Sequence, residues 1–146
     1  MKTYTKEELK SIISLHYKWL CGSVGGRRAN LRYTNLSGAD LSDADLRYSD
    51  LSCANLSDSY LSGANFSGAN FIGANLINAN LSDSYLSGAN FRGANLINAN
   101  LSDSYLSDAS LSGANFSGAN FSGAYLRGAN FSDVGLRDTT GKVVDV

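Results

Sequence analysis

From Leu31 onward, every fifth residue of the chain is Leu or Phe; the 22 consecutive positions 31, 36, 41 and on to Leu136 hold nothing else. Two residues before each stands a small side chain: Ala in sixteen cases, Ser or Thr in five, and Val134 in the last. A helix would return its apolar face about every 3.6 residues and a strand roughly every 2, so a strict five fits neither. The small and the large residue, two apart, lie on one side of a short extended step. The three positions that follow are rich in Ser, Gly, Asp and Asn. Gly tolerates positive φ, and Asn and Asp bond their own backbone and accept the left-handed region, so these positions form a corner. Four steps and four corners close a square coil of 20 residues, with backbone hydrogen bonds running to the coils above and below. About 5.5 such coils fit between residues 29 and 138.

The first 28 residues follow a different period. Thr5 and Glu8 form a capping box, with Tyr4 and Leu9 at the staple positions around it. Leu9, Ile12, Ile13, His16 and Leu20 share one helical face, Leu15 and Trp19 flank it, and Lys10, Ser14 and Lys18 lie opposite. Gly22 is the expected residue just past the helix end, and Gly25-Gly26 turns the chain into Arg27-Arg28. A solenoid whose end is bare exposes its Leu positions to water. Residues 1–28 are therefore expected to be a capping helix and linker over the coil of Leu31 and Leu36. A helix turned to a partner or a membrane surface would leave that coil open. At the other end the five-residue rule decays, with Gly141 where Leu belongs and Lys142-Val143-Val144-Asp145-Val146 after it. The tail 139–146 either crosses the last coil as a strand or leaves Phe116, Phe121, Phe131 and Leu136 near an open end. In the second case two copies stack there as a symmetric homodimer.

Segments such as Ala64-Asn65-Phe66-Ser67-Gly68 and Ala74-Asn75-Leu76-Ile77-Asn78 resemble the pentapeptide-repeat family, whose pattern is A(D/N)LXX. The resemblance spans residues 29–138, about four fifths of the chain. It implies an all-β solenoid, a right-handed quadrilateral β-helix with the small and the Leu/Phe side chains inside. Among the family's activities is DNA mimicry: quinolone-resistance and mycobacterial relatives occupy DNA gyrase, a type II topoisomerase. Gyrase-protecting relatives dimerise through a C-terminal helix, and no such helix is expected after Leu136 here.

Charge tests that implication. The net charge is −1, but residues 1–28 carry six Lys/Arg against two Glu, while residues 29–146 carry six against eleven Asp, a net of −5. A rod of 5.5 coils at about 4.8 Å each is about 26 Å long. Duplex DNA of that length carries roughly 15 negative charges. The coil's net −5 is about a third of that, which weighs against mimicry. One side of the coil gathers Asp40, Asp43, Asp83 and Asp103 without a Lys or Arg, and Tyr60 is displaced onto that side. The next side holds Tyr85, Tyr105 and Tyr125 in a column at intervals of 20, beside Arg47, Arg127, Asp45 and Asp108. Exposed Tyr is enriched at interfaces. The expected function is thus a binding or scaffold module with a protein partner, through the Tyr column and the aspartate face; gyrase-directed DNA mimicry is the alternative. Duplication of a coil would also copy its Tyr, whether or not they bind anything.

Other classes are excluded. The only His is His16, on the apolar helix face, where a packed histidine is expected and not a ligand or base, and no Ser/His/Asp or Cys/His arrangement is possible beyond that one His. No metal-ligand spacing or phosphate loop appears, and neither an enzyme nor a cofactor is expected. Cys21 and Cys53 make neither a disulfide framework nor a metal site. The acidic coil disfavours direct nucleic-acid binding, since Arg27-Arg28 is a spot and not a stripe. With no apolar run of about 18 residues and no signal-peptide pattern, membrane insertion is not expected and the cytoplasm is.

Overall fold

The computed structural model describes residues 1–134. The expectations for the tail 139–146, including a homodimer through the C-terminal end, lie outside the described residues. In chain order the elements are strand β1 (Lys2–Thr3), helix α1 (Lys6–Leu20) and strand β2 (Thr34–Asn35), with β1 and β2 paired in parallel. Beyond them the backbone pairs one residue at a time. Each bridge is parallel and joins residues 20 apart, from Asn30↔Asp50 to Ser110↔Asn130. That spacing is the 20-residue coil.

The five-residue unit closes itself by a turn and joins its neighbours by a ladder. In the unit that starts at Leu41, Ala44 N–H donates to Leu41 C=O at 3.1 Å around Ser42 and Asp43, whose φ is 59°. Positive φ at the third residue is the mark of a type II turn, and Gly, Asn or Asp suit it. The same position has positive φ at Asp58, Asn78, Asp83, Asn98, Asp103, Asp108 and Asp133, and at Tyr33, Tyr48 and Cys53. Between coils, Leu41 N–H donates to Tyr60 C=O at 2.8 Å and Tyr60 N–H donates back to Ala39 C=O at 2.9 Å. Regular spacing of such bonds is the parallel ladder.

The core is a stack. From Leu31 to Phe116 no Leu or Phe position is more than 2% exposed. The rings of Phe71 and Phe91, one coil apart, lie parallel at 4.7 Å between centroids, as their spacing predicts. Ser occupies the small position without leaving a bare hydroxyl inside. Ser49, Ser59, Ser84 and Ser104 each donate to the carbonyl of the Leu three residues back, at 2.6 Å, as does Thr34 to Leu31. Buried hydroxyls need such partners.

The helix starts as predicted. Thr5 Oγ1 accepts from Glu8 N–H at 3.1 Å, and Glu8 Oε2 accepts from Thr5 N–H at 2.8 Å. Gly22 follows the C-cap residue Cys21 with φ 66°. Leu9 is buried in one apolar cluster with Leu31 and Leu36, and Tyr4, Ile12 and Ile13 pack against it. The return from the helix is tight: a Cβ at Gly26 would overlap the main chain of Trp19, so only Gly passes there. Arg27 N–H then donates to Leu15 C=O at 2.9 Å.

Candidate interaction faces

Outward positions are set by the backbone before any function is asked of them. The residue just before each Leu or Phe points out and forms the bridge to the next coil. Wherever it is Asn or Asp, from Asn30 to Asn130, its Oδ1 accepts from the N–H two residues on, as Asn65 does from Ser67 at 3.1 Å. This Asx bond pre-forms the corner. Along two columns the amides also bond one another: Asn75 Nδ2 donates to Asn55 Oδ1 at 3.2 Å, and Asn120 Nδ2 to Asn100 Oδ1 at 3.4 Å.

Tyr60, Tyr85, Tyr105 and Tyr125 occupy this same outward position and lack the carbonyl oxygen that makes the Asx bond. Three of them form one column. Tyr85 and Tyr105 stack at 5.1 Å between ring centroids with 5° between planes, and Tyr105 and Tyr125 at 4.8 Å with 2°. They are 47%, 38% and 56% exposed. The stack covers the shared ring faces and turns a row of ring edges and hydroxyls outward. Offset stacking is one of the favoured arrangements of aromatic pairs.

The four aspartates stand in two columns on one side of the coil. Asp43, Asp83 and Asp103 sit at positive-φ corners, with φ 59°, 57° and 56°, where the turn itself calls for Gly, Asn or Asp. Asp83 and Asp103 lie one rung apart, but Gly63 separates them from Asp43. A Cβ at Gly63 would overlap the Asp43 carboxylate, so the side chain of one coil rests over the glycine of the next. Asp40 lies at the helix end of this face, bridged to Tyr60, and the N–H and hydroxyl of Ser42 hold its carboxyl below the usual range. Tyr60 stands apart from the Tyr column, beneath Asp40.

His16 has a role that its position on the apolar face does not reveal. The ring is fully buried. Its Nδ1 accepts from Ala29 N–H at 2.9 Å, and its Nε2 donates to Arg47 C=O at 2.9 Å. The acceptor role of Nδ1 fixes the proton on Nε2 and the imidazole as neutral. Burial lowers its pKa below the ordinary 6.5, against the opposing effect of the Arg47 carbonyl. One side chain thus bonds two main-chain groups of the first coil, which has no earlier coil to pair with. Trp19 stacks on the ring at 5.4 Å.

Among the described residues no group of three or more His, Cys, Asp or Glu is arranged to hold a metal ion, and Cys21 and Cys53 are free thiols. No helix there is long and apolar enough to cross a membrane.

The family model described as Pentapeptide repeats (8 copies) matches residues 27–63, 64–103 and 104–140. The chain belongs to the pentapeptide-repeat family. Its coil is similar to that of a pentapeptide repeat protein from the Arabidopsis thaliana thylakoid lumen, at 36% identity over 78% of this chain and 72% of that one, with a TM-score of 0.55. It is also similar to a pentapeptide repeat protein from Nostoc Pcc 7120, at 32% identity over 77% of this chain and 92% of the other, with a TM-score of 0.58. A structure of QnrB1, a plasmid-mediated fluoroquinolone resistance protein, aligns at 22% identity and a TM-score of 0.45. No curated protein matches the chain.

Proposed function

We propose that this chain is a non-enzymatic binding or scaffold module of the cytoplasm that takes a protein partner on the Tyr85, Tyr105, Tyr125 column. Its coil is then the family's right-handed quadrilateral β-helix over residues 29–138, with residues 1–28 as its cap. The observation that carries this reading is local. Each Tyr stands where Asn or Asp would supply the Asx bond to the corner, so the repeat gains nothing at its turns from having Tyr there. Asp83 and Asp103 flank the column but have a structural reason to be where they are, so the rings are the anchor and the carboxylates the rim. Rigid aromatic rows of this kind lose little side-chain entropy on binding.

The test follows from the same bond. Replacing all three Tyr by Asn restores the residue that the repeat otherwise uses, so the melting temperature should hold while partner capture is lost. Capture retained by the triple variant would remove the column from the function.

The aspartate face motivates the second reading, a DNA mimic that binds gyrase. Asp40, Asp43, Asp83 and Asp103 share one side of the coil, but a net charge of −5 over residues 29–146 is about a third of that on a duplex of similar length. Micromolar protein is therefore expected to leave gyrase supercoiling and quinolone-stabilised cleavage unchanged. Inhibition or protection would favour the mimic.

A further inference from the structure

The first coil has no coil above it, and its upper edge is completed unevenly. β1 supplies a rung over β2, Lys2 pairing with Thr34 and Thr3 with Asn35. The chain then leaves the ladder at Thr5, the N-cap of α1. His16 serves Ala29 and Arg47 farther round. Neither reaches Asp40. One coil down, Tyr60 uses both its N–H and its C=O toward the coil above. The equivalent N–H and C=O of Asp40 have no backbone partner among the described residues. Ala39 is half-buried, whereas Ala64, Ala79 and Ala99, in the middle of the stack, are at most 1% exposed.

Over this gap lies a groove of about 700 Å³, walled by Tyr4, Leu9 and Ile13 from the helix side and by Leu36, Ala39 and Tyr60 from the coil. Lys6 and Lys10 line its helix side and Asp40 its coil side. The Asp40 carboxylate is engaged with its own turn through Ser42 N–H at 3.0 Å. Lys6 has no ion-pair partner among the described residues, and Lys10 has only a 3.7 Å contact with Glu7 in which both side chains are exposed. The groove therefore joins an unpaired strand edge, an apolar wall and a net positive rim.

We propose that this edge binds an extended, acidic peptide segment of a partner protein by strand addition, in parallel with the coil. The peptide repeats what β1 does on the neighbouring side. Asp40 N–H donates to one peptide carbonyl, and the peptide N–H two residues further along donates to Asp40 C=O, as in the bonds around Tyr60. Side chains alternate across a strand, so one apolar residue enters the groove over Ala39 and a carboxylate two residues along points to the same side, toward Lys6 and Lys10. The inference shares with the proposed function only the premise of a protein partner. It uses a separate surface, so the triple Tyr variant leaves it untouched.

The probe is a peptide labelled at its N-terminal amine, fluoresceinyl-Ser-Val-Ile-Val-Asp-Glu-amide, titrated with the full chain and followed by anisotropy. Saturable binding below ~1 mM is expected, together with protection of the Asp40 amide from hydrogen exchange. A Lys6→Glu, Lys10→Glu double variant alters exposed helix positions and should melt as the parent does, with affinity at least about tenfold weaker. Peptides N-methylated in turn at each of the two central residues separate strand pairing from simple apolar and ionic contact, and one of the two should fail to bind. Absence of binding by the parent peptide at ~1 mM would overturn the proposal. So would equal binding of both N-methylated peptides, or equal affinity of the double variant.

Discussion

His16 shows how much one side chain can settle in a repeat protein. Its ring takes a donor from Ala29 and gives one to Arg47, so removal leaves two main-chain groups beneath the helix without partners. We expect His16→Ala to cost about 2–4 kcal/mol of unfolding free energy, measured by urea denaturation. The pH dependence has a definite sign. The folded pKa lies below 6.5, mainly because of burial. As the pH falls below 6.5 the unfolded chain binds a proton before the folded one does, so stability is full above that value and declines below it. The decline continues toward the folded pKa, and His16→Ala should flatten it between pH 7.5 and 5.5. Asp45 acts lower down: its bond with Arg47 depresses its pKa below 3.8, so its contribution is lost only as the pH falls below that value. The helix spacing placed His16 on an inward face, and that much was readable. The carbonyl and amide it serves come from residues 13 and 31 positions away, which no local pattern encodes.

At the scale of the element, the coil is narrow because Ala stands at most inward small positions. Ala94 is 1% exposed, between the Phe91 and Leu96 positions that are wholly buried. Ala94→Leu overfills that layer, with an expected cost of about 1–3 kcal/mol and a lowered melting temperature by circular dichroism. An unchanged melt would mean that the layer has room that the coil geometry denies. The period of five made this element legible almost completely, since step, corner and core position each carry their own residue type. β1 was not legible. Two residues, Lys2 and Thr3, have no alternation to read, and they enter the ladder only because β2 offers an edge. The groove beside Asp40 exists because β1 ends where it does, so it too lay beyond the sequence.

The whole molecule is a stack whose outer columns are independent of its core. That independence is why a sequence can state the fold so fully and the function so sparingly: any side chain tolerated at an outward position leaves the ladder intact. The Tyr column could be found by its 20-residue spacing, and so could the aspartates. Their different standing could not, because it depends on which outward positions have positive φ and which make the Asx bond. The central claim is that the Tyr side of the coil meets the partner. The most direct measurement places the photo-crosslinking residue p-benzoylphenylalanine at position 105 in one variant and at position 95, two sides round the coil, in another. After irradiation in cells, the account predicts a discrete protein adduct from position 105 and none from 95. Adducts from 95 alone, or equally from both, would contradict it.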